Sequence, residues 1–248
     1  MTEDDNIFYH RGSLGDIIYS LPTIIAHDVE AVLYLRDRIH IAFHKELLKT
    51  QSYIKDVRWV MDGKKYGFIW AKTPFVNLCH FEDISWRKRN QHLVLSHLET
   101  PNKKYDLSKI WLHSIEPKHV ADVIIQRSLN YHDKEEIDWK LLNPIKDRCK
   151  VIGFEGEQSR LKRHFGVDIE FYKVENALEL ARIIKGSKLF VGNQSIGFAL
   201  AEAMKHPRVL EVCYAFNNCQ PHGKDGYTYL KTKLIDRYLN KGNDNERN

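Results

Sequence analysis

His10-Arg11-Gly12-Ser13-Leu14-Gly15-Asp16 follows the apolar run Asn6-Ile7-Phe8-Tyr9 and opens into Ile17-Ile18-Tyr19-Ser20-Leu21-Pro22-Thr23-Ile24-Ile25. The run reads as a first β-strand and the aliphatic stretch as a helix, with Gly12 and Gly15 permitting the tight turn between them. Such a turn aims backbone N–H groups and a helix dipole at an anionic ligand. A second turn of the same kind, Val191-Gly192-Asn193-Gln194-Ser195, follows another apolar run late in the chain. Two such turns predict two mononucleotide-binding-type domains with a cleft between them. Pro22 removes a helical donor and is expected in a first helical turn or at a kink.

Outward from these turns, Ala31 to Leu35 reads as a second buried strand and Phe43 to Tyr53 as a second helix. Val57 to Met61 and Tyr66 to Trp70 read as strands around an Asp62-Gly63 turn. Residues 71–119 carry no clean period, and a helix is expected near Tyr105 to His113. Strands are expected at Ala121–Arg127, Cys149–Phe154, Ile169–Tyr172, Lys188–Val191 and Arg208–Val212. Between and after them lie expected helices at Trp139–Ile145, Glu157–Phe165, Asn176–Ile184, Ile196–Lys205 and Tyr227–Leu239. Strict alternation of strand and helix requires crossover connections and a mainly parallel sheet. The expected division is an N-terminal Rossmann-like domain over 1–118, a C-terminal one over 119–240, and a polar tail over 241–248.

The chain has 248 residues, 43% apolar and 29% charged, with a mean hydropathy of −0.48. These values fit a globular protein and exclude a bilayer-spanning segment. The opening Met1 to Asn6 is acidic and polar, unlike a secretory leader, so a cytoplasmic location is expected. Cys79, Cys149, Cys213 and Cys219 lack the spacing of a zinc site and are expected as free thiols. The 13 histidines form no HExxH pair and no Asp-x-Asp motif is present, so no metal and no cofactor are expected. A Gly-x-Ser-x-Gly nucleophile elbow is also missing. A net charge of +5 suits nucleic acid, an anionic membrane surface touched peripherally, or phosphorylated ligands. The basic clusters at 86–89 and 160–164 match no nucleic-acid-binding signature and serve equally as solvated faces.

Asp16 projects where open α/β folds place ligands, and a carboxylate there can take a proton from an incoming hydroxyl. The alternative is a helix cap. Arg11 to Leu21-Pro22 resembles the opening of the heptosyltransferases, glycosyltransferase family nine, whose first loop carries a glycine-aspartate followed by aliphatics and a proline. Lys188 to Pro207 follows the same family's later strand, polar glycine loop and alanine-rich helix. Gln194 and Ala199 stand where the family carries an aspartate and a histidine. The resemblance implies a GT-B-like α/β architecture and metal-independent, inverting transfer from a nucleotide-diphospho-sugar to a saccharide or glycolipid hydroxyl.

On that reading Asp16 is the catalytic residue, and Arg11, Gly12, Ser13 and Gly15 form the acceptor-side loop. Gly192, Asn193, Gln194 and Ser195 are expected to hold the diphosphate at a helix N-terminus, although Ser195 alone can serve as an N-cap. Arg127, with its fork of donors, and Glu211, at a strand end, are expected to orient the donor. Two alternatives stand beside this one. The first is a nucleotide-sugar-binding module without turnover, motivated by Gln194 and Ala199, and the second is nucleic-acid binding through the basic clusters.

Overall fold

The computed structural model describes residues 6–36, 38–60, 75–80, 90–131, 137–153 and 155–240. The expected strand at 66–70, the turn at 62–63, the basic cluster at 86–89 and the tail at 241–248 lie outside them. The first lobe comprises β1 (Asn6–His10), α1 (Leu14–Ile25), β2 (Ala31–Leu35), α2 (Arg38–Lys49), β3 (Ile54–Trp59), β4 (Phe75–Asn77) and α3 (Leu93–Glu99). The second comprises β5 (Val123–Gln126), β6 (Cys149–Ile152), α4 (Glu155–Phe165), β7 (Phe171–Tyr172), α5 (Ala177–Lys185), β8 (Leu189–Asn193), α6 (Ile196–Ala203), β9 (Arg208–Glu211), β10 (Gly226–Tyr227) and α7 (Thr232–Leu239).

Each lobe is built on a parallel sheet, of order β3-β2-β1-β4 in the first and β10-β9-β8-β5-β6-β7 in the second. The second sheet is wound outward in both directions from the β5/β8 pair, and the first from β1. The loops leaving β1, β5 and β8 therefore open at topological switch points, where a crevice forms at the carboxyl ends of the strands. Strands buried on both faces read as unbroken apolar runs, and β8 is buried throughout.

Helix α6 is apolar apart from Glu202 and fully buried, as a helix sandwiched between layers must be. It packs against α1 of the first lobe, while α5 packs against α2. One continuous apolar core thus includes Ile17, Leu21 and Leu33 from the first lobe with Phe198, Ala199 and Leu210 from the second. Among the described residues no helix is long and apolar enough to cross a membrane.

Pro22 sits neither in a first turn nor at a helix end, because α1 continues through it to Ile25. Its missing N–H would leave the Ile18 carbonyl without a helical donor. The indole Nε1 of Trp111, itself fully buried, donates to that carbonyl at 3.1 Å instead. The helix expected at 105–113 is absent for a related reason. Trp111 N and Leu112 N both donate to Ala203 O at the end of α6, and Asp106 Oδ1 takes Ser108 N in a local turn. These donors are therefore spent on tertiary and turn contacts rather than on a local ladder. The seven-residue α3 appears instead, capped by His92, whose side chain accepts from Val94 N. The expected last helix loses its first residues to β10, which pairs with β9.

Candidate functional site

The two glycine turns meet. A side chain at Gly15 would already touch Ser195 O and the Ala199 methyl, both at 3.8 Å, so α1 and α6 begin side by side. Between them and the neighbouring loops lies a cleft of about 940 Å3. The first lobe contributes residues 11–16, Tyr19, His40 and Leu93 to its lining. The second contributes the loop after β5 (Ser128–Tyr131) with Gln126, the start of α4 (Gly156 and Glu157), Gln194–Ile196, and Phe216, Asn218 and Cys219. Three helix N-termini, those of α1, α4 and α6, thus open on one cavity, whose size is that of a ligand pocket.

The β1 turn is held by a neutral histidine. Gly12 N donates to His10 Nδ1 at 2.9 Å, and burial, then His97, holds the His10 pKa well below its ordinary value. A side chain at Gly12 would come within 2.6 Å of the His10 ring, so only glycine closes the turn this way. Ser13 caps α1, and Asp16 Oδ2 accepts Ser13 N at 2.8 Å in a capping box. Asp16 therefore caps the helix and lines the cleft at once. One turn further along α1, the buried hydroxyl of Tyr19 adjoins the Cys219 thiol. Desolvation raises its pKa well above that of an ordinary phenol.

At the second turn Ser195 is the N-cap of α6, accepting Phe198 N at 3.4 Å, and no acidic residue occupies the helix's first turn. Gln194 lines the cleft while its Nε2 donates to Phe216 O at 2.5 Å and Asn218 Oδ1 at 3.2 Å. The tip of the 214–219 loop is thereby tied to the start of α6. The far side of this loop is tied down by a buried ion cluster. Glu202 takes Arg208 Nε, Lys205 Nζ and His222 N, and Arg208 Nη2 donates to His222 O at 2.5 Å.

Of the residues singled out in the sequence, Arg11, Gly12, Ser13, Gly15, Asp16, Gln194 and Ser195 come together around the cleft. Four others do not line it. Gly192 sits where a side chain would overlap Gln126 O and the Phe190 ring. Asn193 is fully buried and holds the loop after β5: its Oδ1 accepts Ser128 N at 2.9 Å, and its Nδ2 donates to Ser128 O and Asn130 O at 3.2 and 2.5 Å.

Arg127 and Glu211, expected to orient the donor, pair with each other and do not line the cleft. The guanidinium meets the carboxylate at 2.7 and 2.9 Å, with both side chains buried. Phe165 and Trp139 cover the cation at 4.8 and 5.8 Å. The sheet register explains this, since β8 pairs Asn193 with Glu211 and Gln126 pairs with Gly192, bringing Arg127 into the same row. The pair serves the fold. Glu211→Ala should cost about 3–5 kcal/mol by leaving a buried guanidinium uncompensated, and a combined apolar replacement of both residues much less. Urea unfolding of the two variants checks this; a loss below about 1 kcal/mol for Glu211→Ala would contradict the pairing.

Gln126, Glu157 and Tyr19 are cleft residues that the sequence does not single out. Gln126 Oε1 accepts Gly197 N at 2.8 Å, bracing the start of α6. Glu157 is buried at the start of α4, and glycine is required at 153, where φ is +128° and a side chain would overlap that carboxylate. Among the described residues no group of three or more His, Cys, Asp and Glu side chains is placed to hold a metal ion.

No protein-family profile and no curated protein sequence matches the chain. Solved structures do. The chain is similar to a glycosyl transferase of family 9 from Veillonella parvula DSM 2008 at 12% identity and a TM-score of 0.61, covering 98% of this chain and 92% of that one. E. coli heptosyltransferase WaaC with ADP aligns at 11% identity and a TM-score of 0.61, covering 96% and 99%. E. coli ADP-heptose lps heptosyltransferase II aligns at 12% and 0.58, covering 98% and 100%. Its architecture, two Rossmann-like parallel-sheet lobes facing a cleft, is thus the GT-B-like fold of the heptosyltransferases.

Proposed function

We propose that the protein is a metal-independent, inverting glycosyltransferase that moves a sugar from a nucleotide-diphospho-sugar to the hydroxyl of a saccharide or glycolipid acceptor. The observation that carries this reading is the close approach of Gly15 to Ser195, which sets a carboxylate and a helix N-terminus with no acidic residue in its first turn on one cavity. The acceptor oxygen attacks the anomeric carbon as Asp16 takes its proton, and the nucleoside diphosphate leaves with the bonding electrons. Backbone N–H groups at Gln194–Ile196 and the dipole of α6 receive the negative charge that a metal ion would otherwise neutralise. Glu157, a carboxylate at the C-terminal edge of the second sheet, suits the hydroxyls of the ribose. The net charge of +5 favours such ligands. The buried free thiols fit a reducing, cytoplasmic compartment. Of the similar structures, one WaaC structure is with ADP and a heptosyltransferase, TibC, is in complex with ADP-D-beta-D-heptose.

The test is a thermal-shift screen against ADP-, UDP-, GDP- and CDP-sugars. A ligand that binds only the folded state at 100 times its Kd adds about 2.7 kcal/mol of stability. One nucleotide class is expected to raise the midpoint well above the others, and a flat response to all four overturns the reading.

A second reading, a nucleotide-sugar-binding module without turnover, is favoured by one observation. The Gln194 amide is committed to Phe216 and Asn218, and a methyl group, Ala199, lies under Gly15. Binding without hydrolysis or transfer across the same panel selects it.

A further inference from the structure

Tyr131 is a bulky residue in the left-handed region, with φ of +55°, a conformation that costs a non-glycine residue about 1 kcal/mol. It is also half exposed, so burial of its own ring does not explain why the strain is kept. The strain is maintained from below. Asn193, fully buried, bonds the backbone of the Ser128–Tyr131 loop at Ser128 O, Asn130 O and, at 3.4 Å, Tyr131 O. Strained residues held by a surrounding network cluster at ligand-holding positions, and of the described residues with positive φ outside glycine, Tyr131 is the one that lines the cleft.

The ring it orients stands in the cleft, edge-on to Phe216 with centroids 5.6 Å apart and planes at 84°. Phe216 is fixed in turn by the Gln194 amide at its carbonyl. Consecutive residues of the second turn, Asn193 and Gln194, thus each bond the backbone carbonyl of one member of an aromatic pair. Across the cleft lies Asp16: desolvation raises the Tyr131 phenol pKa and the Asp16 charge raises it further. Tyr131 and Phe216 belong to the second lobe yet line the same cleft as Asp16 on the first.

We propose that Tyr131 and Phe216 form the wall against which the transferred sugar of the donor lies, setting which sugar is accepted. This rests on the nucleotide-sugar reading above. A group of the donor lobe that faces the proton-accepting carboxylate across the cleft faces the anomeric carbon in the bound donor, whereas the nucleoside extends away toward the start of α4. A sugar ring presents an apolar C–H face that packs on an aromatic surface, with its hydroxyls left for the polar residues around it.

Isothermal titration of ADP-heptose, UDP-glucose and GDP-mannose, each beside its bare diphosphate, tests the wall in wild type, Tyr131→Ala, Tyr131→Gly and Tyr131→Phe. The bare diphosphate is expected to bind all four proteins alike. The accepted nucleotide sugar should weaken about tenfold in the Ala and Gly variants and hold in Phe. Tyr131→Gly should melt no lower than wild type, because glycine adopts positive φ freely. Equal losses for diphosphate and sugar, a sugar that adds nothing to wild-type affinity, or unchanged binding in the Ala variant overturns the wall alone. A wild type that binds no member of the panel overturns the nucleotide-sugar reading and the wall together.

Discussion

Between pH 6.5 and 4 the protein is expected to lose its fold steeply, because several histidines are buried in the neutral form. Burial pushes His44 down to about 4 and His92, His97 and His206 each to about 3, and lowers His10 well below its ordinary value. In the unfolded chain each returns to about 6.5. Below that pH the unfolded chain takes up protons that the folded chain refuses, so stability is full above about 6.5 and falls as the pH drops toward the folded values. Each histidine removes about 1.4 kcal/mol per pH unit, and the four with stated values together about 5.6 per unit. Against a domain stability of about 5–15 kcal/mol, unfolding completes before the folded-state values are reached.

Cations packed nearby sharpen the effect. His92 faces His222, Lys205 and Arg208, and His206 faces Lys185 and Arg208, so a proton at either site meets charges of its own sign. Lowered carboxylates such as Asp56 and Glu179 contribute their own loss only at lower pH. Urea midpoints at pH 7, 6, 5 and 4.5 read this directly. A midpoint that stays level from pH 7 to 5 would show that these rings are not held neutral.

Asp16→Asn is expected to slow sugar transfer by about 10²–10⁴-fold, the usual contribution of a general base. The amide keeps the shape of the side chain, and its Oδ1 can still accept Ser13 N, so the cap on α1 survives and the melting point should stay within a few degrees. Nucleotide affinity should hold or rise, because a negative charge has left a cavity proposed to bind a diphosphate. The informative result is this split between a collapsed kcat and an intact Kd. A variant that turns over at the wild-type rate would remove Asp16 from the chemistry, and one that fails to bind nucleotide would make it a structural residue. Asp16→Ala is a poorer probe, since it also deletes the capping contact, worth about 1 kcal/mol.

What the sequence makes legible is the alternation. The apolar runs at 31–35 and 189–191 and the glycine turns at 12–15 and 192–195 carry local signals, enough to place these strands and turns but not the strand order. Side-chain direction at strand ends is another matter. Arg127, Asn193 and Glu211 follow apolar runs in the same way as Asp16 does, yet they satisfy one another or the neighbouring loop inside the second lobe. Nothing within five residues of each distinguishes a carboxylate facing ligand from one facing a guanidinium two strands away. The aromatic wall is obscure for a similar reason, since Tyr131 and Phe216 are far apart in sequence and are oriented by residues that read as ligands themselves. Residues 105–113 mislead because their hydrogen bonds run to α6, a partner that no local period reveals.

The hydrogen bond from Trp111 to the carbonyl stranded by Pro22 spans 93 positions of the chain and bears on the order in which the molecule is made. A nascent polypeptide emerging from the ribosome carries the proline helix long before the indole that completes it, and α1 also lacks α6, which is translated later still. The first lobe thus completes its own proline helix only at its far end and buries that helix against α6, so the two sheets are expected to appear, and to melt, in one cooperative event.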